Sequence, residues 1–265
     1  ASRGYLVIEP EFRGSAGYGR DHEKAGYKQY GQAMQNDVAD ALIWAQSKGL
    51  ASNKSCIAGA SYGGYSTFMG LIRNPELFSC GIAWVALADL NLYIQGSNWI
   101  TDDISETARN ASLPEMVGDV EKDSEMLAAN SPILNASKLK APLLMAYGEA
   151  DLRVPLAHGE RMRDALTKAG NPPEWVVYYG EGHGWALPKT KIDFYGRMEK
   201  LLQKGLVERK INELNRRMHD ISITEKGLSL LEIIAPDFNE LMLGYQNITS
   251  EEAEKVSDLL DQFRG

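Results

Sequence analysis

Ser55-Cys56-Ile57-Ala58-Gly59-Ala60-Ser61-Tyr62-Gly63-Gly64-Tyr65-Ser66-Thr67-Phe68-Met69-Gly70-Leu71-Ile72 is the stretch whose reading decides the fold. Residues 54–58 read as a short apolar strand and residues 64–72 as a helix. Between them, Gly59-Ala60-Ser61-Tyr62-Gly63 has the spacing Gly-x-Ser-x-Gly. Flanked by a strand and a helix, that spacing describes a nucleophile elbow, a serine held out of the chain at a sharp, strained turn. Small neighbours let the strand and helix approach closely. A serine in an ordinary turn is the plain alternative, so the reading depends on what else the chain supplies.

Two further segments supply it. Ala141-Pro142-Leu143-Leu144-Met145-Ala146-Tyr147-Gly148 reads as a buried strand that delivers Glu149-Ala150-Asp151-Leu152-Arg153-Val154-Pro155 at its end. Glu174-Trp175-Val176-Val177-Tyr178-Tyr179 reads as another, delivering Gly180-Glu181-Gly182-His183-Gly184-Trp185. The order Ser61, Asp151, His183 is the serine, acid, histidine order of α/β-hydrolases. Each residue lies just past a predicted strand, and open parallel sheets gather their chemistry at those carboxyl ends.

The residue types set the roles. A serine hydroxyl becomes a useful nucleophile when a base takes its proton, and an imidazole can do this and then protonate the leaving group. Asp151 would hold His183 in the productive tautomer, and the Tyr62 backbone N–H would face the developing oxyanion. Glu149 is the rival for the acid role; Asp151 lies nearer the following helix. Each residue has a plain alternative: a turn serine, a capping aspartate, a surface histidine.

The loop Glu11-Phe12-Arg13-Gly14-Ser15-Ala16-Gly17-Tyr18-Gly19, the elbow, Asp151-Leu152-Arg153-Val154-Pro155 and Gly182-His183-Gly184 together resemble the catalytic domain of the prolyl oligopeptidase family over residues 1–204. Residues 157–166 and 172–178 resemble its acylaminoacyl-peptidase-like branch. The resemblance implies a serine peptidase or hydrolase acting on peptide or acyl-amino-acid bonds through an acyl-enzyme. No cofactor is expected, and no metal-ligand spacing is present. With position relative to the triad, the resemblance also suggests Leu87, Leu90, Tyr93 and Val154 as an apolar substrate pocket, with core packing equally open. Arg153 would meet a substrate carbonyl or carboxylate, or form a surface pair. A general esterase is the alternative activity.

The same resemblance implies an upstream β-propeller and three earlier strands, so residues 5–9 would be the fourth strand of an incomplete sheet. Those residues would then close against 54–58, or leave mid-sheet backbone groups unpaired at about 1–3 kcal/mol each. A second oxyanion donor would be lost with the upstream segment, a change that costs about 10²–10³ in turnover. The size filter on substrates would be lost too.

Bulk properties agree with a large single core. The chain has 265 residues, 44% hydrophobic content and a net charge of −8, with no apolar run near the ~18 residues of a membrane span. Further strands are expected at 81–86, 143–147 and 175–179, with helices at 36–47, 64–73, 156–169 and 191–204. That alternation predicts a mostly parallel sheet flanked by helices. Residues 89–141 are longer than a crossover requires, with a helical piece near 123–129. Cys56 and Cys80 read as core thiols of a reducing, cytoplasmic compartment. His22, His158 and His219 lack matching partners and are expected to face solvent. The glycine loop at 14–19 lacks the Gly-Lys-Ser/Thr of a phosphate cradle.

Beyond residue 204 the character changes. Residues 205–210 and 218–224 read as two strands around Asn215-Arg216-Arg217, followed by a helix and a capping box at Thr249-Ser250-Glu251-Glu252. This resembles the wing and following helix of the multiple-antibiotic-resistance regulator (MarR) family of winged-helix repressors, so 205–265 is expected to be a small α+β extension. It holds seven Lys or Arg against twelve Asp or Glu, a net of −5. An acidic module is a poor nucleic-acid binder, which disfavours the second reading of a DNA-associated regulatory fragment. A peptide or acyl-peptide is the expected partner, with no membrane.

Overall fold

The computed structural model describes residues 5–95 and 106–203. Four strands, β1 (Cys56–Ala60), β2 (Cys80–Trp84), β3 (Leu143–Gly148) and β4 (Glu174–Tyr178), form one all-parallel sheet in the order β1-β2-β3-β4. Parallel neighbours need crossovers. Helix α3 (Tyr62–Arg73) follows β1 and α7 (Ala157–Lys168) follows β3, while α8 (Pro188–Leu202) follows β4. Two further helices, α1 (Arg20–Lys24) and α2 (Ala33–Ser47), precede the sheet.

The longer connection after β2 holds α4 (Leu90–Gln95), α5 (Glu106–Met116), α6 (Ser124–Ala129) and a 3₁₀ segment at Pro132–Lys138. The architecture is an α/β-hydrolase sheet with helices on both faces, as the alternation of patterns predicts.

The sheet divides its side chains by parity. From β3, Leu143, Met145 and Tyr147 join Phe68 and Leu71 of α3 and Met162 and Leu166 of α7 in the larger core. Leu144 and Ala146 face the other way, onto Phe194 and Leu201 of α8. A strand covered on both faces must be apolar throughout, which is why Leu-Leu-Met-Ala-Tyr reads as a continuous run.

Two expectations are corrected. Residues 5–9 form no strand, and Leu6 and Val7 stand 61% and 55% exposed. Their composition suits a strand, but a strand is defined by its partner, and among the described residues no strand pairs with them. Among the described residues, β1 pairs with β2 alone. Along β1, Ala58 is exposed while Ile57 is buried.

The second correction concerns the cysteines, which are joined as a disulfide. Cys56 and Cys80 are register partners on β1 and β2 with Cα atoms 4.7 Å apart, within bridging range. A reducing compartment loses its support with the free thiols. No helix among the described residues is long and apolar enough to cross a membrane. The winged-helix-like reading of 205–265, with His219, lies outside the described residues.

Candidate active site

Ser61 is the N-cap of α3, with φ 55° and ψ −117°, a region that costs a non-glycine residue about 1–3 kcal/mol. Its N–H bonds to Trp84 O at 3.0 Å and its carbonyl accepts Tyr65 N–H at 3.0 Å. The serine is therefore tied laterally to β2 and forward to the helix. A methyl group on Gly59 would stand 2.6 Å from Gly63 Cα, while one on Gly63 would meet nothing within 4 Å. The close approach expected of the small residues is real, and Gly59 carries it. The Tyr62 N–H lies in the first turn of α3, where amides have no intrahelical acceptor.

Asp151 follows β3 and is buried. Its Oδ1 accepts Arg153 N–H at 2.8 Å and Val154 N–H at 2.9 Å, and its Oδ2 meets His183 Nδ1 at 2.8 Å. This is an Asx-type turn that leaves one carboxylate oxygen for the imidazole. Glu149, the rival, is exposed.

His183 comes from the far edge of the sheet, so its loop must fold back over β3. Gly148 permits this: a methyl there would lie 2.5 Å from Glu181 O and also against Gly182 O. Glu149 N–H to Tyr178 O (3.1 Å) and Ala150 N–H to Glu181 O (2.9 Å) hold the two loops together. The structure thus joins Asp151 and His183 directly. The Ser61 hydroxyl makes no hydrogen bond to His183, a contact that in free enzymes often tightens only with substrate.

Of the suggested substrate contacts, Leu87, Leu90 and Val154 are closed off in the larger core at 2%, 0% and 1% exposure. Tyr93 is partly buried beside that core, and Arg153 is exposed. His158, expected at the surface, is buried because α7 turns it under the loop after β2. There its Nδ1 accepts Ala88 N–H at 3.2 Å. Burial lowers its pKa to about 4, so the ring is neutral with its proton on Nε2. His22 is half-buried, its ring against Tyr18 and its Nε2 3.1 Å from Phe12 O.

Sequence reasoning also missed how the glycine-rich loop is anchored beside the elbow. The Phe12 ring lies 5.4 Å from that of Tyr62, and Arg13 grips Asp37 through Nε (2.7 Å), an Nη (2.6 Å) and its backbone N–H (3.0 Å). The Arg13 hydrogen bond holds Asp37 below the usual carboxylate range against the opposing effect of burial. Among the described residues no three His, Cys, Asp or Glu side chains converge as a metal site would require.

A strained serine between strand and helix, with an acid and an imidazole paired at the same rim of a parallel sheet, defines a chain of the α/β-hydrolase class. Residues 1–208 match the prolyl oligopeptidase family. The chain is 33% identical over 209 residues to dipeptidyl aminopeptidase BIII of Pseudoxanthomonas mexicana, covering 78% of this chain and 30% of that protein. It is 27% identical to acylamino-acid-releasing enzyme 2 of Oryza sativa subsp. japonica, covering 74% and 26%.

A solved puromycin hydrolase superposes with a TM-score of 0.66 at 24% identity, covering 74% of this chain and 29% of that one. The chain belongs to the prolyl oligopeptidase family and spans less than a third of the length of these relatives. The higher identity to a dipeptidyl aminopeptidase means that the comparisons do not single out the acylaminoacyl-peptidase-like branch.

Proposed function

We propose that residues 1–204 carry a serine peptidase site that cleaves peptide or acyl-amino-acid bonds, with Ser61 as nucleophile, His183 as base and Asp151 as its orienting acid. In this reading Ser61 Oγ attacks the substrate carbonyl carbon while His183 Nε2 takes the hydroxyl proton. The Tyr62 N–H stabilises the oxyanion. The carbon–nitrogen bond then breaks, Nε2 returns the proton to the departing amine, and water attacks the acyl-enzyme by the same proton route. No cofactor enters these steps. Tyr93 and Arg153 are the substrate-side residues of the proposal, with Leu87, Leu90 and Val154 as the apolar wall behind them.

The observation that carries the reading is the 2.8 Å bond from His183 Nδ1 to an Asp151 whose other oxygen is held by two amides. It orients the imidazole and leaves Nε2 for the serine. The test is a fluorophosphonate probe. Labelling that vanishes in Ser61→Ala is expected; folded protein that stays unlabelled rejects the reading. Hydrolysis of an acyl-amino-acid anilide in preference to a short-chain ester is expected, and turnover of the ester alone assigns a general esterase.

We place the module boundary at 204/205, close to where the family match ends at residue 208. The acidic balance of 205–265 argues against nucleic acid as its partner, and duplex DNA retarded at low salt would reverse that. The Cys56–Cys80 disulfide removes the free thiols on which the expectation of a reducing, cytoplasmic compartment rests.

A further inference from the structure

Asp151 and Glu181 are the acidic residues that are buried among the described residues. A carboxylate taken out of water needs donors to hold it. Asp151 finds His183 and two amides. Glu181, two residues before the imidazole and 1% exposed, accepts Ala186 N–H at 2.7 Å through Oε2 and Leu187 N–H at 3.0 Å through Oε1. The nearby Thr190 hydroxyl acts on the same carboxylate and helps to lower its pKa. Its main chain is engaged as well: its carbonyl accepts Ala150 N–H at 2.9 Å from the acid loop, and its N–H reaches Tyr178 O at 3.3 Å. The segment 182–185 therefore starts and finishes on one residue, with His183 near its apex.

We propose that Glu181 is a positioning residue for His183: its carboxylate closes the histidine loop onto the start of α8 while its carbonyl ties that loop to the loop bearing Asp151. The inference deepens the serine-peptidase reading and rests on it for its kinetic part. The burial that would raise the Glu181 pKa is outweighed by the donors from Ala186, Thr190 and Leu187, so the group stays ionised in place. An anion at the first turn of a 15-residue helix also meets the favourable end of its dipole.

The experiment compares the wild type with Glu181→Gln, which keeps size and one acceptor oxygen but faces an amide N–H with an NH₂. Three readouts are taken: the rate of fluorophosphonate labelling at Ser61, the strongly deshielded NMR resonance of the His183 Nδ1 proton bonded to Asp151, and the melting temperature. A misplacement near 1 Å slows reaction by about 10²-fold. Labelling slowed 10-fold to 100-fold, with a broadened or lost Nδ1 resonance in folded protein, is expected.

A wild-type labelling rate and an unchanged Nδ1 resonance in Glu181→Gln overturn the proposal. If the wild type itself does not label, the peptidase reading fails, and positioning is judged on the Nδ1 resonance alone. If Glu181→Gln does not fold, Thr190→Val decides. A few-fold slower labelling with a weakened Nδ1 resonance supports positioning, and wild-type values for both overturn it.

Discussion

Replacing Gly148 by alanine tests whether the histidine loop is held where the chemistry needs it. The added methyl would lie against Gly182 O, 2.5 Å from Glu181 O and 2.8 Å from Glu181 C. All three are main-chain atoms, so no rotamer change relieves the contact. Carbon–oxygen contacts settle at about 3.3–3.6 Å, so the loop must retreat by roughly 1 Å, enough to cost about 10²-fold in rate. The same retreat stretches the Ala150 to Glu181 bond that couples the acid and histidine loops.

Overpacking of this kind costs about 1–3 kcal/mol, so the Gly148→Ala protein is expected to stay folded with a lower melting temperature. The assay is the fluorophosphonate labelling rate set beside the thermal transition. A variant that labels at the wild-type rate would refute the claim that Gly148 makes room for His183.

Three further outcomes are expected. Gly59→Ala should lose about 1–3 kcal/mol in urea unfolding, because its methyl meets the Gly63 backbone, whereas Gly63→Ala should be neutral or up to about 1 kcal/mol more stable; equal losses would contradict the packing at the elbow. His158 is neutral in the fold with a pKa near 4. Its contribution is therefore complete above the unfolded value near 6.5 and is lost as pH falls through 4, by about 3 kcal/mol. His158→Gln should show a correspondingly flatter stability difference between pH 7 and pH 4 by urea titration, and an unchanged slope would refute the buried neutral ring. Reducing Cys56–Cys80, which closes a 24-residue separation, should lower stability by about 3 kcal/mol in urea unfolding with dithiothreitol; no change would mean that the pair is not bridged in solution.

What was legible follows from the range of each interaction. The elbow is local, so Gly-x-Ser-x-Gly is enough to put Ser61 at a turn between a strand and a helix, where the structure has it. β3 is legible because burial on both faces leaves an unbroken apolar run. Residues 5–9 have the same apolar character and fail, since composition describes a strand's faces and not its edge partners. The cysteines fail for a related reason: a spacing of 24 says nothing about register, and register alone makes Cys56 and Cys80 neighbours. His158 was misread because a lone histidine in a helix has no sequence mark of the backbone N–H it will meet. Gly148 and Glu181 carried signals, a glycine ending a strand and an acid beside a histidine, but the reason for each lies in a loop from another strand.

The cohesion of the rim explains where strain collects. Parallel pairing continues past the strand ends: Ser61 N–H to Trp84 O, Val85 N–H to Ala146 O (2.8 Å), Glu149 N–H to Tyr178 O, and Ala150 N–H to Glu181 O. Each chain must keep these lateral bonds while turning out of the sheet. At β1 and β2 the turn forces positive φ on two adjacent non-glycine residues, Ser61 at 55° and Val85 at 45°. A β-branched residue there is a genuine outlier.

Val85 tolerates it because its side chain is 1% exposed and its N–H is bonded, so burial and pairing together offset the backbone cost. Ser61 in turn bonds to Trp84, the residue before Val85. The serine's orientation therefore depends on β2, a strand that contributes no candidate catalytic side chain. Val85→Ala, which keeps the strained backbone but surrenders buried methyl groups, should lower the Ser61 labelling rate as well as stability. A variant that loses stability while labelling at the wild-type rate would separate the two strands' strain and refute that dependence.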